Sequence, residues 1–135
     1  MVDTSYTPAL GILLRVPSRD AQTLLPLLQM HLRSGTIVHS DEWRAYSRVQ
    51  GLPPVAQHEV VNHSLNFVDP TTGVHTQHVE SYWNRVKTKF KRMKGVHATM
   101  LDSHLDEFMW RERHGQTSSL ALHSICRDIA ARYPL

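Results

Sequence analysis

Apolar residues recur at Val79, Trp83, Val86, Phe90 and Met93, at intervals of four, three, four and three, and this pattern constrains the 135-residue chain most strongly. The spacing predicts an amphipathic helix of about five turns, with one stripe turned to a core. The rest of its surface is constrained as well. From Arg85 to Lys94, six of ten residues are basic (Arg85, Lys87, Lys89, Lys91, Arg92, Lys94) and none is acidic. A helix divided in this way suits an apolar partner on one side and either solvent or a polyanion on the other.

Upstream, the apolar run Leu10–Val16 ended by Pro17 reads as a covered strand. Ser18 is placed to cap a helix starting near Arg19, with Asp20 in its first turn. Ala21, Leu24, Leu25, Leu28 and Leu32 would form its inner face and Gly35 its stop, with a kink expected at Pro26. Thr36–Val38 predicts a short buried strand that delivers His39, Ser40 and Asp41 to its C-terminal end. A short helix over Glu42–Val49, a proline-containing loop Gly51–Pro54 and a strand around Glu59–Val61 follow. The stretch through Asp69, Pro70 and Gly73 has turn chemistry. Beyond the long helix, Thr99 and Asp102 resemble a capping box for a helix burying Leu101, Leu105 and Phe108. A last helix from about Ser119 is expected to bury Leu122, Ile125, Cys126 and Ile129. The order implies an α/β class with a helical C-terminal half.

No segment has the 18 or so consecutive apolar residues of a membrane span, and the first ten residues lack the pattern of a signal peptide. An intracellular protein is expected. The single cysteine, Cys126, excludes an internal disulfide and is expected in the core. Net charge is +3 with a pI near 9.3, a modest excess whose concentration in one helix matters more than its size.

Two carboxylates stand out by position. Asp41 falls just past the C-terminal end of a strand, where open α/β sheets hold ligands, and Glu80 lies at the border of the long helix's apolar stripe. Acids on separate elements suit a pair of divalent metals about 4 Å apart on a phosphodiester. The alternative is ordinary: an Asp before a short helix serves as a cap, and a Glu in a first turn complements the helix dipole. Lys87, seven residues beyond Glu80 and so two turns along the same face, extends a line through Lys91 and Lys94. Such a line fits a nucleic-acid backbone or a solvated surface.

Three blocks carry a resemblance: TIVHSDEWRAY (Thr36 to Tyr46), VVNHSLNFVDPTTGVHTQHVESYWNRVK (Val60 to Lys87) and LDEFMWR (Leu105 to Arg111). Together they resemble the DDE transposase domain of the ISXO-two-like insertion-sequence transposases, from about Met1 to Arg113. The resemblance implies an RNase H-like fold, a mixed sheet with flanking helices, in which three acids bind two Mg2+ or Mn2+ ions for DNA strand cleavage and joining. Asp41 matches the family's second acid and Glu80 its third, while Lys87 matches the basic position two turns beyond. Trp83 matches a family tryptophan, placed by its spacing in the core. Trp43 and Tyr46 match positions open to either packing or substrate contact.

The family's first acid lies on a strand upstream of the segment that Met1 to Asp3 resembles, and Asp3 is not its equivalent. The expected domain, residues 1–113, therefore lacks the first strand and most of the second, with residues 114–135 forming a helix packed on it. Unpaired backbone along Thr36–Ser40 would be costly unless covered, and would favour self-association. Two functions follow: a DNA strand transferase by two-metal chemistry, inactive as this chain for want of its first Asp, or a non-catalytic DNA-binding or assembly module. DNA is the expected partner and a membrane is not. Localisation would be nuclear in a eukaryotic host and cytoplasmic otherwise. His75 and His78, with His58 and His63, could share a zinc ion, but neither a His-Glu-x-x-His motif nor a cysteine partner accompanies them. His39, His63 and His75 are alternatives as donors around a metal or phosphate.

Overall fold

The structure, a computed structural model, describes residues 1–61 and 75–134. The expected turn stretch through Asp69, Pro70 and Gly73, and His63, lie outside the described residues. The elements in order are β1 (Val2–Asp3), β2 (Leu10–Gly11), α1 (Ala21–His31), β3 (Thr36–Asp41), β4 (Val55–Val61), α2 (Gln77–Arg92), α3 (Leu101–His114) and α4 (Ser118–Arg132). The class is α/β with a helical C-terminal half. The chain divides into two compact units, one of Met1–Arg15 with Ser81–Leu135 and one of Val16–Glu80.

In the unit of Val16–Glu80, Asp20 itself caps α1 by accepting from the Thr23 amide at 2.8 Å. The expected Ser18 cap is corrected: the Ser18 hydroxyl donates to the Asp20 carboxylate, which orients it and lowers its pKa. Pro26 sits inside one continuous helix, which ends at Leu32 rather than running to Gly35. Gly35 serves instead, with φ of +82°, in the turn before β3. β3 and β4 pair in parallel from Thr36↔Val55 to Asp41↔Val61, with an irregularity after Thr36. Parallel strands need a crossover of about a dozen residues. Here it consists of two 3-10 turns, Arg44–Tyr46 and Val49–Gly51, in place of the helix expected over Glu42–Val49. Ala45 and Val49 of these turns are buried, as are Ser40 of β3 and Val55 and Val61 of β4. β3 is not the buried strand expected: Ile37 is 56% exposed, because among the described residues only β4 pairs with it.

The other unit is built around Tyr82, Val86, Leu105 and Leu13, flanked by Val2, Phe90, Leu101, Phe108 and Met109. The strand expected over Leu10–Val16 reduces to Leu10–Gly11, paired antiparallel with β1. Its ladder ends where Met1 and Ile12 exchange backbone hydrogen bonds at 3.0 Å, and the next amide, Leu13, donates to Met109 Sδ instead. Gly11 is required by close approach, since a β-carbon there would lie 2.2 Å from the Tyr82 ring. α3 buries Leu105 and half-buries Leu101 and Phe108, as its periodicity predicts. Thr99 does not cap it; a 3-10 turn, Ala98–Met100, precedes the helix, and Thr99 bonds to His97.

α4 overturns its expected inner face. Leu122 is 66% exposed and Ile129 53%, while Ile125 and Cys126 are also exposed. The side of α4 that packs carries Ala121, Ser124 and Asp128 instead. Small residues allow close approach: a β-carbon on buried Gly115 would meet Trp110 at 3.0 Å and Ala121 at 3.2 Å. The Trp110 indole also donates to Asp128 at 3.1 Å, which fixes the rotation of the helix.

Candidate functional site

The cations of α2 fall into two groups. Helical rotation of about 100° per residue places Tyr82, Arg85, Val86, Lys89 and Phe90 on one side. Tyr82, only 1% exposed, packs edge-on against Phe108 and donates its hydroxyl to Glu112 at 2.6 Å. Burial, then that carboxylate, raises the phenol pKa well above its ordinary value. Arg85 lies over the Tyr82 ring, pairs with Glu112 at 2.8 Å and donates to the Ala9 carbonyl. Lys89 donates to Glu107 at 2.8 Å, beside a second donor, Arg111, at 2.7 Å. Hydrogen bonds from Lys89 and then Arg111 hold the Glu107 carboxyl down at about 2. Arg85 and Lys89, both predicted to face nucleic acid, are thus paired with acids of α3. The Glu-Phe-x-Trp-Arg block is equally structural: Glu107, Phe108, Trp110 and Arg111 all contact neighbours within this unit.

On the outward side, Glu80, Trp83, Lys87 and Lys91 share an exposed stripe on the order of 80° wide. The core placement expected for Trp83 is therefore corrected. Adjacent Tyr82 takes that position because its hydroxyl finds Glu112, and Trp83 is left 46% exposed. Met93, also expected inside, is exposed at the helix end. Lys87, Lys91, Arg92 and Lys94 have no ion pair among the described residues. Lys94 has a φ of 58° in the position after the helix where glycine is usual. The Lys94 amide bonds to Lys91 and the Gly95 amide to Phe90, each at 3.0 Å, so the last carbonyls are satisfied through a strained lysine.

Asp41 ends β3, exposed, with one oxygen accepting the Trp43 amide at 3.2 Å. Trp43 donates its indole N–H to the Arg19 carbonyl, and the Arg19 guanidinium stands 5.1 Å above its ring. Burial, then the Asp41 charge, raises the pKa of Tyr46. Arg19 was not singled out from the sequence, where it looked only like a helix start. Glu80 lies exposed in the first turn of α2, with its amide bonded to the Thr76 carbonyl at 3.3 Å. Exposed carboxylate oxygens are the right donors for a hard divalent cation. Yet among the described residues no three His, Cys, Asp or Glu side chains are grouped to hold a metal, so these residues do not by themselves fit a two-metal centre.

The histidines are dispersed. His58 shares a 2.9 Å hydrogen bond with buried Ser40, and its burial lowers its pKa. His39 lies 3.6 Å from Glu59 across the β3–β4 pair. The rings of His75 and His78 are 5.0 Å apart, and His75 Nδ1 is buried without a hydrogen-bond partner among the described residues.

Comparison with known proteins adds family information. A family model described as the ISXO2-like transposase domain matches residues 1–113. A Haemophilus influenzae protein named "Uncharacterized transposase-like protein" is 24% identical over 104 residues, covering 77% of this chain and 81% of that relative. No solved structure matches. α4 begins at Ser118, beyond the matched residues. No helix among the described residues is long and apolar enough to cross a membrane.

Proposed function

The chain belongs to the family of ISXO2-like transposase domains, and from that premise we propose that it is an RNase H-like, transposition-related domain that binds DNA along the outward stripe of α2 and does not cut it unaided. Support comes from the division of cations on that helix. Arg85 and Lys89 are consumed by Glu112 and Glu107, whereas Lys87, Lys91, Arg92 and Lys94 face outward without ion pairs among the described residues. A solvated helix needs no such division, while a phosphate backbone requires unpaired cations that can displace its condensed counterions.

In the family's chemistry, Asp41 and Glu80 are the positions that would take Mg2+ or Mn2+, which stabilises charge on a phosphodiester under attack. These two match the family's second and third acids, and within residues 1–135 no acid is matched to its first. The 135-residue chain should therefore bind duplex DNA in a salt-sensitive way and produce no nicks in supercoiled plasmid with Mg2+ or Mn2+. Metal-dependent nicking that vanishes in Asp41→Ala would overturn the inactive reading. DNA affinity that does not respond to salt would overturn the binding reading.

The exposed Leu122, Ile125 and Ile129 on α4 favour a second reading, an assembly module that self-associates through that helix. Sedimentation velocity of Leu122→Glu beside the parent chain tests it: an unchanged monomer in both discards it.

A further inference from the structure

Trp83 is in an unfavourable place for an indole that has only a structural task. A large aromatic side chain is worth most when buried with its N–H paired. Here Tyr82 occupies the core position, and Trp83 is 46% exposed. No hydrogen bond to its indole and no ring partner exists among the described residues. Its neighbours on the exposed stripe are Glu80 one turn before and Lys87 one turn after.

We propose that Trp83 is a stacking platform for an unpaired DNA base, with Lys87 and Lys91 holding the adjoining phosphates. This deepens the DNA-binding reading and rests on it. The charges alone would serve any backbone, paired or not. An indole face adds something cations cannot, because a base inside a duplex has both faces covered by its neighbours and only an unpaired or terminal base can present one. Side chains one turn apart on a helix stand about 5–6 Å from each other at their β-carbons. Trp83 and Lys87 can therefore engage a base and a phosphate close to one another on the same strand. The stripe is thereby matched to DNA with a single-stranded end rather than to uniform duplex.

The test compares the 135-residue chain with Trp83→Ala and Trp83→Phe. Fluorescence anisotropy would follow a blunt duplex, the same duplex with a short 3′ overhang, and a single strand. Stacking is worth about 1–3 kcal/mol per base, so Trp83→Ala should lose roughly ten-fold in affinity for the overhang and single strand. Its loss on the blunt duplex, where only the two end base pairs present a face, should be much smaller, and the salt slope should not change, since no phosphate contact is removed. Trp83→Phe should restore most of the affinity while abolishing part of the tryptophan quenching seen on binding. Equal losses on all three DNAs, or no loss on any, would overturn the proposal. Lys87→Gln with Lys91→Gln distinguishes the two failures. If that pair weakens binding and lowers the salt slope while Trp83→Ala changes nothing, the DNA-binding reading survives and the stacking platform does not. If neither changes binding, both fall.

Discussion

The two sides of α2 use the same residue types for opposite ends. On the packed side, an aromatic and two cations, Tyr82, Arg85 and Lys89, are held by Glu112 and Glu107 of α3. On the outward side, an aromatic and two cations, Trp83, Lys87 and Lys91, have no such pairing acids among the described residues. A lysine's role on a helix is thus decided less by the lysine than by which acids the neighbouring helix brings to it. Composition alone cannot separate the two sides.

Substitutions should separate them cleanly. The largest effect belongs to the packed side: Tyr82→Ala should cost about 3–5 kcal/mol in urea unfolding, through lost burial and a Glu112 oxygen left without its donor. A loss below about 1 kcal/mol would mean that the core is not where Tyr82 sits. Next, Lys87→Gln with Lys91→Gln should lower the DNA salt slope by about 2 and leave stability within about 0.5 kcal/mol. Lys89→Gln should do the reverse, costing about 1 kcal/mol of stability with little change in slope. Lys94→Gly should add about 1 kcal/mol by relieving the left-handed lysine, while removing one outward charge. A melting temperature that falls instead would show that the lysine charge at the helix end outweighs its strain.

The smallest effect is a pH dependence. The Glu107 carboxyl is held below its ordinary value in the folded chain, so its contribution is complete above about pH 4.5 and lost as pH falls toward 2. Glu107 is 40% exposed, so screening limits this to less than about 1 kcal/mol. The stability gap between the parent chain and Glu107→Gln should accordingly close with acid; a gap that persists near pH 2 would assign it to something other than the charge.

The helices were legible from periodicity because 3.6-residue spacing survives any tertiary arrangement. Which side faces inward was less legible. On α2 the spacing favours Trp83 over Tyr82 for the core, since both are aromatic and the deciding Glu112 lies 30 positions away from Tyr82. On α4 the apolar stripe pointed to Leu122 and Ile129, but contact is made through Ala121 and Ser124, where small size rather than hydrophobicity decides. The strand over Leu10–Val16 is reduced to Leu10–Gly11, because past Ile12 the Leu13 amide turns from the ladder to Met109 Sδ, a partner 96 positions away that no local pattern announces. For the site, the basic run was plain in the sequence, but its split into paired and free cations was not. Asp41 and Glu80 stood out by position, at a strand end and at the border of a helical stripe, but position fitted caps as well as ligands, and the family's motif spacing was needed to tie them together.

The unit that joins Met1–Arg15 to Ser81–Leu135 has a consequence for the order in which the protein is made. Val16–Glu80 is continuous and can begin to organise as it leaves the ribosome. Leu13, by contrast, has to wait for Met109, 96 positions later, which at ordinary translation rates is on the order of ten seconds. During that interval the apolar residues of Met1–Arg15 lack their core, so a segment synthesised before Val16–Glu80 is sheltered after it.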